Sequence, residues 1–112
     1  MKEGYKPFFS KPISEEDGRR FIGLGEIEIE MKGFSVIGRV EASDGFRCFQ
    51  MVLYSDNTEL LELSKNESSE ARKFIDRIYA RMCWSLVKKG RAVEKENSRQ
   101  ARELINKLKR RR

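Results

Sequence analysis

From Glu26 onward, apolar and polar positions alternate with a period of two. Ile27, Ile29 and Met31 stand against Glu26, Glu28, Glu30 and Lys32. That alternation predicts a strand with one buried face. Lys32-Gly33 predicts a turn, and Phe34 to Ala42 a second strand. Asp44-Gly45 is a two-residue hairpin signal, so Phe46 to Tyr54 is expected as a third strand. Asp56-Asn57 then turns into an expected fourth strand, Thr58 to Leu63.

The turns are tested by the pattern, because directly paired residues of an antiparallel ladder share a face. A turn at Lys32-Gly33 pairs Met31 with Phe34, Ile29 with Val36 and Ile27 with Gly38. A turn at Asp44-Gly45 pairs Val40 with Phe49, Gly38 with Met51 and Val36 with Leu53. Both gather one apolar set, and a slip of one residue at either turn would scatter it.

Beyond the strands the period changes to that of a helix. Ser64-Lys65-Asn66-Glu67 reads as a capping box, with Ser69 an alternative cap. A long helix is expected from Glu67 to about Lys89, ended by Gly90. Its apolar stripe is Ala71, Phe74, Ile75, Ile78, Met82 and Leu86. Tyr79 and Trp84 adjoin the stripe and are expected in the core. A final helix, Val93 to Lys109, carries a narrower stripe of Val93, Ala101, Leu104, Ile105 and Leu108. The fold class expected is α+β: a four-stranded antiparallel meander covered on one face by a long helix, with a C-terminal amphipathic basic helix.

Both prolines, Pro7 and Pro12, fall before residue 26. Residues 1–25 are therefore expected as an irregular arm. Within it Ser14-Glu15-Glu16-Asp17 starts one helical turn that Gly18 keeps short. The chain reads as one domain over 1–112: arm, sheet-plus-helix core over 26–90, and basic helical tail over 91–112.

Charge divides along the same lines. Up to Gly90 there are 15 Lys/Arg and 15 Asp/Glu. From Arg91 on there are 9 Lys/Arg against Glu94, Glu96 and Glu103, a net of +6 that equals the chain total. Such a tail is an electrostatic arm for phosphates or for anionic lipid, unless it simply solubilises the chain end. No apolar run approaches the roughly 20 residues a bilayer needs, and the first residues hold no secretory h-region. Cys48 and Cys83 read as free, buried thiols of a reducing, cytoplasmic setting.

The residues for catalysis are sparse. The chain has no histidine, which removes the commonest general base and metal ligand. Neither a metal nor another cofactor is expected. Gly23-Leu24-Gly25 precedes a strand rather than a helix, so it is no phosphate cradle. Glu30-Met31-Lys32, with Asp17 as partner, carries a remote reading as a metal-dependent nuclease site. Glu30 nevertheless continues the solvated series of Glu26 and Glu28.

The second face of the sheet is more informative. It collects Ser35, Ile37, Arg39 and Glu41 beside Phe46, Cys48, Gln50, Val52 and Tyr54. A merely solvated face does not usually hold Ile37, Phe46, Val52 and Tyr54 together, so a cover or a ligand is expected. The cover would be the arm, the last helix or a second subunit. The ligand would be unpaired bases, stacked on the aromatics with Arg39 and Gln50 beside them. The interleaved Tyr5, Phe8, Phe9 and Lys11, with Arg19 and Arg20, suits one rim of such a cleft. Glu26, Glu28 and Glu30 repel phosphates and direct any strand over the second and third strands. No duplex-reading motif is present.

In the layout of its meander (Glu26 to Leu63), long helix (Glu67 to Lys89) and charged helical tail, the chain resembles the archaeal ThermoDBP-like single-stranded DNA-binding proteins. The resemblance implies a compact α+β domain with a hydrophobic, basic-rimmed cleft for bases. Its cleft residues here would be Ile37, Phe46, Val52 and Tyr54, rimmed by Arg39 and Arg47. Abundant Glu, Lys and Arg with no His suits a thermophile.

The function expected is sequence-tolerant binding of single-stranded nucleic acid, DNA favoured, by a protein that is not an enzyme. Lys107, Lys109, Arg110 and the two arginines after them would attract any polyanion, and the sheet face would select unpaired strands. The alternative is a protein-interaction module, or a homo-oligomer formed through Ala101, Leu104, Ile105 and Leu108.

Overall fold

The structure is a computed structural model and describes residues 1–110. Eight elements follow one another. They are β1 (Lys6–Ile13), α1 (Glu15–Phe21), a 3-10 turn (Ile22–Leu24), β2 (Ile27–Met31), β3 (Phe34–Ser43), β4 (Cys48–Ser55), α2 (Thr58–Leu63) and α3 (Ser69–Arg110). The strands form one antiparallel sheet in the order β1-β4-β3-β2. The expected α+β class, with a four-stranded antiparallel sheet and a long helix, is the observed one.

The β2–β3 register is as the pattern predicts, with Met31 opposite Phe34 and Ile27 opposite Gly38. The β3–β4 register differs by two residues. Val40 faces Met51 and Gly38 faces Leu53, because the hairpin closes with Ser43 opposite Cys48 over a four-residue loop. Asp44, Gly45 and Phe46 all take positive φ there, and Arg47 N–H closes the loop on the carbonyls of Ser43 and Asp44. A shift of two keeps every side chain on its face, so the apolar set is assembled as expected. Val36, Val40, Phe49, Met51, Leu53, Ile27 and Ile29 are buried, and Met31 and Phe34 pack against them.

The fourth strand is not the expected one. Thr58–Leu63 is a short helix, capped by Asn57 Oδ1, which accepts from Leu60 N–H at 2.9 Å. Leu60 enters the core. The Thr-Glu-Leu-Leu-Glu-Leu segment is rich in helix formers and follows a good cap. Strand four is Lys6–Ile13, inside the segment expected to be irregular, and it pairs with β4. Its prolines are tolerated because β1 is an edge strand, where a missing N–H can face away from the ladder. A register irregularity between Pro7 and Phe9 bends it.

α1 begins as expected on Ser14, whose Oγ accepts from Asp17 N–H at 3.1 Å, but it runs through Gly18 to Phe21. α3 begins on Ser68, whose Oγ accepts from Ala71 N–H at 3.2 Å, rather than on Ser64 or Ser69. It also runs through Gly90, so the two expected helices are one of 42 residues. Gly90 is buried against Phe21 and Leu24. Just before it, Lys89 Nζ donates to the carbonyls of Leu24 and Glu26 at 2.6 and 3.4 Å. A glycine costs a helix interior about 1 kcal/mol, which these contacts offset.

The first half of α3 covers the apolar face of the sheet through Ala71, Ile75, Ile78, Met82 and Leu86. From Arg91 to Arg110 every residue is exposed. The helix therefore projects beyond the body for about 30 Å at 1.5 Å per residue. The longest dimension of the molecule is 66 Å and its radius of gyration 17.9 Å, against about 13 Å for a compact chain of this length. Among the described residues no helix is long and apolar enough to cross a membrane.

Candidate functional site

The second face of the sheet is covered at its centre. Ile37, Val52 and Tyr54 are buried together, with Tyr5 packed on them. The first five residues cross this face from the β1 edge toward β2. Tyr5 is hydrogen-bonded through its hydroxyl to Ser35 Oγ, and Lys2 Nζ reaches Glu28 Oε1 at 2.6 Å. The arm is thus the cover.

Beneath it the polar groups are spent on one another. Tyr54 donates to Glu41 Oε2 at 2.7 Å. Arg39 donates to Glu41 Oε1 at 3.0 Å and to Tyr54 Oη at 3.3 Å, and also pairs with Glu26 at 3.5 Å. Its guanidinium lies 5.0 Å from the centre of the Tyr54 ring. Burial first, and then the bond to Glu41, push the Tyr54 hydroxyl above its ordinary pKa. Arg39 Nε is buried without a partner. Of the expected platform and its rim, Phe46, Arg47, Cys48 and Gln50 stay exposed, and Phe46 stands on the hairpin loop with φ +66°.

The expected rim is dispersed as well. Phe8 and Phe9 pack against the core, Phe9 edge-on to Tyr79 with ring centres 5.5 Å apart. Lys11 lies over the Tyr79 ring at 5.2 Å. Arg19 pairs with Glu15 at 2.8 Å and Arg20 with Glu94 at 3.3 Å. Lys107, Lys109 and Arg110 are exposed at the far end of α3.

A different arrangement gathers cations without carboxylates. Because α3 is continuous, Lys73, Arg77, Lys88, Arg91, Lys95, Arg102 and Lys109 follow one another at spacings built from three and four residues. They fall on the helix face opposite the buried stripe. All seven are exposed, and none pairs with a carboxylate among the described residues. Glu70 precedes the row on this face, whereas Asp76, Glu94, Glu96 and Glu103 fall to its sides. The row is about 54 Å long at 1.5 Å per residue.

Trp84 stands within the row. It is 52% exposed rather than in the core, with Lys88 Nζ 5.3 Å and Arg91 Cζ 5.8 Å from its ring centre. Tyr79, five residues earlier, packs against the core as expected. A helix divided at Gly90 would separate Lys73, Arg77 and Lys88 from Arg91, Lys95, Arg102 and Lys109. With the helix unbroken, the same 3.6-residue count that found the apolar stripe finds the cationic one. Along the projecting half, Leu104 and Leu108 continue the apolar side and Ile105 lies between it and the cations, each of the three more than half exposed.

Other chemistry has little material here. Among the described residues no group of three or more His, Cys, Asp or Glu could hold a metal ion. Glu30 lies in β2 opposite Ser35, and Asp17 lies in the first turn of α1. Cys48 and Cys83 are free thiols, but neither is buried: Cys83 is partly exposed, and Cys48 is exposed because it stands where the β3–β4 hairpin closes. Comparison with protein families, with curated proteins and with solved structures finds no match to this chain.

Proposed function

We propose that the protein binds nucleic acid in a sequence-tolerant way, along the outward face of α3. The observation that supports this reading is the row of seven exposed cations from Lys73 to Lys109 with no carboxylate partner. Unpaired cations aligned over such a length meet a polyanion at several phosphates at once and release its counterions. Contacts of this kind position a strand without reading its sequence. The second sheet face, acidic along β2 and covered at its centre by the arm, plays no part in this reading.

Anisotropy of a labelled oligonucleotide against salt tests it. The log–log slope should be about −0.7 per phosphate contacted, hence about −5 if all seven cations engage a single strand. The triple variant Lys95→Glu, Arg102→Glu, Lys109→Glu touches only exposed positions of the projecting helix. It should flatten that slope by about 2 by the same arithmetic. Salt-insensitive binding, or none, overturns the reading.

The second reading is an assembly module, favoured by the exposed Leu104, Ile105 and Leu108. A stable oligomer in sedimentation, without affinity for any oligonucleotide, would select it.

A further inference from the structure

Trp84 is the only tryptophan of the chain, and half of it stays in water on a helix whose inner face is well packed. Its surroundings are ordered by the helix itself. Helical side chains lean toward the N-terminus, so Lys88 and Arg91 fold back over the indole, while the indole leans toward Ala80. Ala80, one turn before it, is small and exposed. An aromatic plane is thus held within a line of cations, with Arg77 before it and Lys88 and Arg91 after it.

We infer that Trp84 is the stacking platform for one unpaired base of a bound strand, with Lys88 and Arg91 turned to the phosphates beside it. This rests on the reading that the α3 face binds nucleic acid, and it adds which form is preferred. A duplex covers its base faces in its own stack, whereas a single strand presents them. The cations serve both forms, and Trp84 rewards only the unpaired one. The selection expected from the sheet face therefore falls to the helix.

The lone indole reports on itself. With the full chain, dT12 should quench tryptophan emission in step with the anisotropy rise of the labelled strand. A 12-base-pair duplex bound at low salt should leave the emission nearly unchanged. Trp84→Ala should weaken dT12 binding about 10-fold, within the range that stacking one base supplies, and duplex binding less than twofold. Trp84→Phe should retain most of the affinity. Circular dichroism should match for all three proteins, since the ring is not in the core. Binding of dT12 without quenching, or equal losses for dT12 and duplex in Trp84→Ala, overturns the inference while leaving the nucleic-acid reading standing. No anisotropy change with either probe overturns both.

Discussion

Gly18 lies so close to Phe49 that a Cβ built on it would stand 2.1 Å from the ring Cγ. The helix α1 is drawn onto β4 at this one point, and its glycine is there for proximity rather than to end the helix. Gly18→Ala should destabilise the fold by about 2–3 kcal/mol, because the buried ring has no room to retreat and overpacking costs this much. Gly90→Ala should act oppositely. Its Cβ would meet Phe21 at 3.5 Å, an ordinary contact, and the helix gains about 0.5–1 kcal/mol over glycine. Urea denaturation of the two variants should displace the midpoint in opposite directions.

Tyr54 separates the sheet face from the binding face. Its hydroxyl donates to Glu41 and accepts from Arg39, so Tyr54→Phe should cost about 1–2 kcal/mol through partners left short of a bond. Oligonucleotide affinity should not change, since the ring is buried and the Arg39 guanidinium lies over it. Tyr54→Ala should cost about 3–5 kcal/mol by emptying a packed aromatic site. A loss of affinity in the folded Tyr54→Phe protein would return the binding site to the sheet.

Alkaline titration should show delayed ionisation of two tyrosines. The Tyr79 hydroxyl is pushed up to about 12, by burial first and then by the Cys83 thiol, and Tyr54 is raised by burial and by Glu41. Unfolded tyrosines ionise near pH 10, so above that pH the unfolded chain releases protons that the folded chain retains. Stability linked to these groups is full below pH 10 and is lost as pH rises through the folded values. Absorbance at 295 nm followed beside urea midpoints from pH 9 to 12 checks this; a midpoint constant across that span would contradict it.

The sequence by itself determined the faces. Alternation over Ile27 to Met31, Phe34 to Val40 and Phe49 to Leu53 decided which side chains meet in the core, and the two-residue difference at the hairpin left that result intact. A period of two cannot distinguish registers two apart, and the three positive-φ residues of the loop selected between them. The stripe from Ala71 to Leu86 likewise determined which side of the long helix meets the sheet.

Tertiary contacts decided the rest. Lys6–Ile13 became a strand because the free edge of β4 offered partners that two prolines could accept only there. Thr58–Leu63 became a helix with Leu60 seated in the core. Gly90, locally a stop signal, stayed helical because Phe21, Leu24 and the bonds of Lys89 hold that turn in place. The positive charge of the last 22 residues was legible from the start, but not what it belonged to. Only an unbroken α3 joins Lys95, Arg102 and Lys109 to Lys73, Arg77, Lys88 and Arg91 on one face with Trp84. Local sequence specifies the angle of each side chain about its helix, whereas the packing of the rest of the chain specifies where the helix ends.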